Sequence, residues 1–253
     1  MDPLTRFRMD DRVIVLTGAS SGLGVGFAQA LGAVGAKLVL AARRLDRLES
    51  LAESLRREGV NVYTRQADVS QPEDCEALAA AAVDAFGRLD GLVNNAGVGL
   101  SVPASRVTPE DFRRVIDVNL SGTFWTSQAC ARFMPRGSAI VNVASVLGLM
   151  APRFPQAPYA ASKAGVIGLT RDLAQEWSGR KGIRVNALCP GYFRTQMLAG
   201  GEDELEASVA ANSILGRFGE HEELHPALLF LISDASSFVT GTTLTVDGGL
   251  SIL

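Results

Sequence analysis

The chain carries no excess of either charge. Its 24 Lys and Arg nearly balance 27 Asp and Glu, leaving a formal net charge of −3 with the signs interspersed. That balance gives no electrostatic footing for nucleic acid or an anionic membrane. Cysteine is scarce: Cys75, Cys130 and Cys189 are odd in number, far apart and match no metal spacing. They read as free thiols in a reducing compartment, the cytoplasm. The N-terminus has no apolar core of a signal peptide. No apolar run approaches the ~20 residues of a membrane span. Repeats and low-complexity linkers are absent, and Ala199-Gly-Gly201 is too short to divide domains. An apolar content of 47% is ample for a sizeable core. A chain of this length makes one large α/β domain or two small ones, and without a linker residues 1–253 read as one.

What is present starts with an apolar run, Val13-Ile-Val-Leu16, consistent with a buried parallel strand. Thr17-Gly-Ala-Ser-Ser-Gly-Leu-Gly24 follows at once. Phe27, Ala30, Leu31 and Val34 then share a helical face, and Lys37-Leu-Val-Leu-Ala41 is the next strand. Strand, Gly-rich turn, helix and strand within about thirty residues form the context of a dinucleotide-binding turn. Gly18 lets the chain leave the strand sharply, while Gly22 and Gly24 admit close approach of cofactor and neighbouring backbone. The helix N-terminus offers free N–H groups and a positive dipole end to a pyrophosphate. A Gly-rich loop that binds nothing is the plainer alternative.

A second pattern lies at Tyr159-Ala-Ala-Ser-Lys163. Positions i and i+4 face the same side of a helix, so the phenol and the ammonium can reach one site. Tyrosine, with an ordinary pKa of ~10, is a poor acid or base at neutral pH. A nearby cation favours the phenolate, so Lys163 is expected to lower the Tyr159 value and make an acid–base device. Alone, the pattern also fits a half-buried tyrosine beside a solvated lysine.

Between these patterns, strands and helices alternate. Leu45 to Glu58 reads as an amphipathic helix, Asn61 to Gln66 as a strand, Pro72 to Phe86 as a helix and Leu89 to Val93 as a strand. Thr108-Pro-Glu-Asp111 is a helix start, with cap, proline and acids in order. That helix is predicted to run to about Phe133, with Asn119 marking a kink or a bound water. Ala139 to Ala144 is a further strand, ending at Ser145, fourteen residues before Tyr159. The remaining elements are a helix to about Ser178, a strand at Ile183 to Leu188, a helix at Glu222 to Ile232 and a last strand and turn at Thr243 to Gly249.

The Thr-Gly-x-x-x-Gly-x-Gly turn, Asn94-Asn-Ala-Gly97, Ser145, Tyr159-x-x-x-Lys163 and Pro190-Gly-Tyr-Phe-Arg-Thr195 together resemble the short-chain dehydrogenase/reductase family. The likeness covers almost the whole chain and is to the branch of about 250 residues. The extended, epimerase-type branch fits poorly because it needs a longer substrate domain. Enoyl reductases usually place the lysine further from the tyrosine. The resemblance implies a single-domain Rossmann-type α/β fold, a doubly wound parallel sheet of seven strands in the order 3-2-1-4-5-6-7 with helices on both faces.

It also implies roles. Gly18, Ser20, Ser21, Gly22, Leu23 and Gly24 would cradle the cofactor phosphates. Ala42 stands where an aspartate would select NAD, and Arg43 follows with a fork suited to a 2′-phosphate, so NADP(H) is expected, with NAD(H) as the alternative. Ser21 is neutral where NADP-preferring relatives are often basic. Asp68 would accept from the adenine amino group and Val69 would pack on its ring; Asp68 reads equally as a loop residue or helix cap beside Ser70-Gln-Pro72. Asn95, Ala96 and Gly97 would border the adenosine ribose. Backbone at Pro190, Gly191 and Phe193, with Thr195, would hold the nicotinamide carboxamide and a phosphate. Asn119, Ser145, Tyr159 and Lys163 would be the catalytic set, Tyr159 and Lys163 also meeting the cofactor.

The implied reaction interconverts a ketone and a secondary alcohol. The leading substrate is a 3-oxoacyl thioester, with polyols, sugars and steroids as rivals and a catalytically silent cofactor-binding protein as the alternative of another class. Arg153, Phe154, Gln156, Tyr192, Phe193, Met197 and Leu198 are candidates for the substrate side, with a lid at about 192–216. Arg180 is a candidate docking residue for a carrier protein. The family expectation for assembly is a homotetramer, with a dimer as the alternative. No metal is expected.

Overall fold

Val13–Thr17 (β1) is buried along its whole length, as a strand covered on both faces must be. The computed structural model describes residues 2–151, 154–194 and 208–252. Six further strands join β1: Lys37–Ala42 (β2), Val62–Gln66 (β3), Gly91–Asn94 (β4), Ala139–Val143 (β5), Arg184–Pro190 (β6) and Thr243–Val246 (β7). Every pairing is parallel, and the order is β3-β2-β1-β4-β5-β6-β7. The expected sheet is therefore the observed one. Its order reverses between β1 and β4, where open α/β sheets bind ligands at the carboxyl ends.

Apolar helix faces cover both sides of the sheet. Leu23–Ala33 (α1) and Leu45–Arg57 (α2) contribute Phe27, Leu31, Leu48 and Leu55 to one core. His221–Ile232 (α7) adds Leu224, Leu228 and Leu231 to the same side. On the other face, Pro72–Phe86 (α3), Gly122–Ala131 (α5) and Ala157–Lys181 (α6) bury Cys75, Leu78, Cys130, Leu173 and Trp177. The three cysteines are buried free thiols. Among the described residues, no helix is long and apolar enough to cross a membrane.

The helix expected from Thr108 to about Phe133 runs to Ala131, with its irregularity at Asn119 as expected. Its start is as read: Thr108 Oγ accepts from the Asp111 N–H at 3.1 Å and Pro109 opens the helix. Pro109–Ile116 (α4) then passes into a π-helical turn, Asp117–Ser121, before α5. The irregularity falls on Asn119, whose side chain takes partners outside the helix. Such π turns recur at functional sites.

Candidate active site

The glycine turn is built by close approach. Gly18 has φ +66°, and a β-carbon there would stand 2.7 Å from the Ala96 α-carbon. One on Gly24 would strike the Gly18 carbonyl oxygen and come within 2.9 Å of the Ala19 α-carbon. Gly22 has φ +56° and caps α1 without a side-chain hydrogen bond, so no side chain competes for the first N–H groups of α1. That terminus fits a pyrophosphate.

Asn95 ties this turn to β4. Its Nδ2 donates to the Thr17 and Gly18 carbonyls, both at 3.1 Å, while Thr17 Oγ accepts from the Asn95 and Ala96 N–H groups, again at 3.1 Å. Asn94 turns into the sheet, donating to Asn142 Oδ1 at 2.9 Å and Ser127 Oγ at 2.8 Å. Neighbouring asparagines thus hold the sheet centre and the turn at once.

The arginine that reaches the glycine turn is Arg44. Its guanidinium donates to Ser20 Oγ at 3.2 Å and Ser21 Oγ at 2.9 Å. Arg43 is exposed, and its carbonyl accepts from Gln66 Nε2 at 2.9 Å. Asp68 is a loop residue and not the helix cap: its Oδ1 accepts from both the N–H and the hydroxyl of Ser70, while α3 is capped at Gln71 with no side-chain bond. Val69 is buried against Gly122, where an added β-carbon would lie 2.7 Å from its methyl.

At the carboxyl end of β5 three expected groups converge. Ser145 accepts from the Leu147 N–H at 3.2 Å and hydrogen-bonds the Tyr159 phenol. Tyr159 lies in the first turn of α6, partly buried. Lys163 is 4% exposed; its Nζ donates to the Val143 carbonyl at 2.8 Å and stands 5.6 Å from the Tyr159 ring centroid. Gly148 permits this convergence, because a β-carbon there would be 2.7 Å from the Lys163 carbonyl carbon. Asn119 is fully buried: Nδ2 donates to the Val98 carbonyl and to Ser162 Oγ, each at 3.0 Å, and Oδ1 accepts from the Val98 N–H at 2.8 Å. Ser162 Oγ in turn donates to the Tyr159 carbonyl at 2.7 Å.

The electrostatics differ from the expectation for the Tyr-Lys pair. Burial pushes the Tyr159 phenol above its ordinary value, and the opposing influence is the Ser145 hydrogen bond rather than Lys163. Burial also brings the Lys163 ammonium down to about 8. The lysine sits over the ring rather than against the hydroxyl, so its charge does little for the phenolate here. This has a consequence for stability. Between pH ~8 and the unfolded lysine value of ~10.4 the unfolded chain binds more protons, so the Lys163 contribution to stability rises with pH. Lys163→Met should remove that rise, a change of a few kcal/mol across the window. Thermal melts of both proteins from pH 7 to 10.5 check it, since the variant minus wild-type difference isolates this group.

The substrate side is partly as expected. Val146, Leu147 and Leu250 form a buried cluster against which Met150, Tyr159 and Tyr192 pack. Phe193 does not join it: its ring is 6% exposed, in the main core against Gly219. Its backbone still follows Pro190 at the end of β6, where the Gly191 N–H donates to the Val246 carbonyl at 2.9 Å. Phe154 and Gln156 are partly buried just before α6. Arg153, Thr195, Met197, Leu198 and part of the expected lid at 192–216 lie outside the described residues. The far end of that segment rests on the C-terminal turn, the Leu215 N–H donating to the Gly248 carbonyl at 2.9 Å. Arg180 lies at the opposite end of α6 from Tyr159, roughly 30 Å along a helix that rises 1.5 Å per residue.

Sequence reasoning missed Thr17, Arg44, Gly148 and Ser162. Ser162 carried a signal, as a hydroxyl beside Lys163 inside the Tyr-Lys turn. The others became visible only through contacts distant in sequence.

Comparison with known proteins agrees with this geometry. The family model described as Enoyl-(Acyl carrier protein) reductase matches residues 18–251. The galactitol 2-dehydrogenase (L-tagatose-forming) of Cereibacter sphaeroides is 42% identical, with 100% of each chain covered. The 3-oxoacyl-[acyl-carrier-protein] reductase of Thermotoga maritima is 37% identical over 97% of this chain and 100% of its own. The crystal structure of gox2181 superposes with a TM-score of 0.96 at 33% identity, covering 99% of this chain and 100% of that one. With its seven-stranded parallel sheet, its glycine turn and its Ser-Tyr-Lys convergence, the chain belongs to the short-chain dehydrogenase/reductase family and is an oxidoreductase.

Proposed function

We propose that the protein interconverts a ketone and a secondary alcohol with NADP(H) as the preferred cofactor. The observation that carries the reading is the meeting of Ser145, Tyr159 and Lys163 at the end of β5, one strand from the glycine turn's partner β4. A bound nicotinamide supplies or accepts the hydride. Tyr159 gives its proton to the carbonyl oxygen in reduction and takes it back in oxidation. Ser145 hydrogen-bonds the same oxygen as negative charge develops there, the logic of an oxyanion hole. The burial-raised phenol keeps its proton at neutral pH, which suits the acid role. Lys163 positions the nicotinamide ribose.

The substrate is a small free ketone or alcohol, of the polyol or ketose kind that the galactitol 2-dehydrogenase name describes. A 3-oxoacyl thioester, the substrate that the 3-oxoacyl-[acyl-carrier-protein] reductase name describes, is the second reading. Residues 1–253 act as one domain, in the cytoplasm, assembled as a homotetramer.

Cofactor choice is tested by titrating NADPH and NADH against wild type, Arg43→Ala and Arg44→Ala. Wild type should bind NADPH more tightly. Arg43→Ala should raise the NADPH Kd about tenfold, the worth of one charge-assisted contact, and leave NADH little changed. Arg44→Ala should weaken both, since it frees the Ser20-Ser21 turn. Equal or tighter NADH in the wild type overturns the NADP(H) preference.

A further inference from the structure

Residues 213–215 invert the usual rule of burial. Ser213, the polar residue, is 7% exposed, whereas its apolar neighbours Ile214 and Leu215 are 59% and 62% exposed. Burial leaves the serine hydroxyl stranded. Among the described residues, Ser213 Oγ is the one buried side-chain atom without a hydrogen-bond partner. The backbone there is paired: the Ser213 N–H donates to the Val209 carbonyl at 2.9 Å, and the Ser213 carbonyl accepts from the Gly216 N–H at 3.1 Å. A stranded hydroxyl costs the free protein stability, and it calls for a partner that the chain alone does not supply.

The segment borders the substrate side. The Leu215 N–H donates to the Gly248 carbonyl at 2.9 Å, and a β-carbon on Gly249 would stand 2.8 Å from Ile214 Cδ1. Asp247 fixes that C-terminal turn, its carboxylate accepting from the Gly249 N–H at 3.0 Å and the Ser251 N–H at 2.8 Å. Leu250, the residue between them, is 6% exposed and belongs to the cluster against which Tyr159 and Tyr192 pack. The turn therefore touches residues 214–215 and the wall around Tyr159 alike. Arg217, the nearest cation in sequence, is held by both Glu223 oxygens at 2.7 Å. A serine hydroxyl both donates and accepts, so the place suits a neutral hydroxyl rather than a carboxylate or phosphate.

We propose that Ser213 is a substrate-binding residue, its hydroxyl pairing with a hydroxyl remote from the reacting carbonyl of a polyhydroxylated ketone. This rests on the proposed function and narrows it. The preferred ketone carries hydroxyls along its chain, and a bare alkyl chain is discriminated against because it leaves Ser213 unpaired. Sites built to bond a hydroxyl reject analogues that lack it for this reason.

The test compares wild type with Ser213→Ala on the stereoisomeric 2-ketohexoses and on 2-hexanone, which has the same carbon skeleton and no hydroxyl. For the best ketohexose kcat/KM should fall about tenfold, the worth of one hydrogen bond, while the 2-hexanone value and the NADPH Kd stay within about twofold. In thermal melts without ligand the variant should match or exceed the wild type, since it loses an unpaired buried group. A lower melting temperature means that the hydroxyl is already bonded in the free protein, and overturns the inference. So does an unchanged ketohexose value, an equal loss on both kinds of ketone, or a wild type that reduces 2-hexanone but no ketohexose. A wild type that reduces neither defeats the polyol and ketose reading instead. The same ketohexoses titrated into NADP-saturated protein then decide the site: a Kd unchanged by Ser213→Ala, or no binding at all, overturns it.

Discussion

Tyr159→Phe is expected to lower kcat by about 10²–10⁴-fold, the usual worth of a positioned acid or base. Only the hydroxyl is lost. The ring still packs against Val146, Leu147 and Leu250, so the wall of the site should survive. Ser145 keeps its bond from the Leu147 N–H, and Lys163 keeps the Val143 carbonyl. Cofactor affinity should therefore stay within about twofold, since the glycine turn is the proposed phosphate site. The check is kcat and cofactor Kd on the same preparations. Near-normal turnover in the variant would remove Tyr159 from the chemistry.

Gly24→Ala should act on binding instead. Alanine is the better helix former, and Gly24 lies in the first turn of α1, so local propensity favours the change. Space does not. The methyl would collide with the Gly18 carbonyl, reach the Ala19 α-carbon at 2.9 Å and Asn95 Nδ2 at 2.9 Å. All three belong to the phosphate turn or its tether to β4. The backbone must move, and the N–H groups at the start of α1, the proposed pyrophosphate site, move with it. Cofactor Kd should rise about 100-fold, near 2.7 kcal/mol, while kcat at saturating cofactor stays within a few-fold of wild type. Isothermal titration of NADPH measures the first and steady-state kinetics the second. Unchanged affinity would mean that the turn does not hold the phosphates.

The fold was legible because its signals are local and periodic. Continuous apolar runs became buried parallel strands, and the alternation of strands with helices set the doubly wound sheet. The helix from Thr108 was also legible, together with its irregularity at Asn119. What the sequence did not tell is that the irregularity is a π turn and that Asn119 bonds to Val98, a partner distant in sequence. Arg43 and Arg44 show the same limit. Both follow β2, and only the path of the chain into α2 decides which one meets Ser20 and Ser21. The Tyr-Lys spacing told which groups share a face. It did not tell that the ammonium would sit over the ring, nor that Ser145 rather than Lys163 would oppose the upward shift of the phenol. Phe193 read as a pocket residue because its neighbour Tyr192 is one; a turn in the chain sends the ring to the core instead.

The most direct measurement follows a label. Wild-type protein is mixed with NADPH carrying deuterium at the transferable nicotinamide position and with a panel of small ketones, and the product alcohol is analysed by mass spectrometry. One deuterium on the carbinol carbon, with loss of one equivalent of reduced cofactor and no product from Tyr159→Phe, is the result expected of a Tyr-assisted hydride transfer. Tight NADPH binding with no labelled alcohol from any ketone, and no oxidation of the matching alcohols with NADP, would contradict it and mark the chain as a dinucleotide-binding protein without this chemistry.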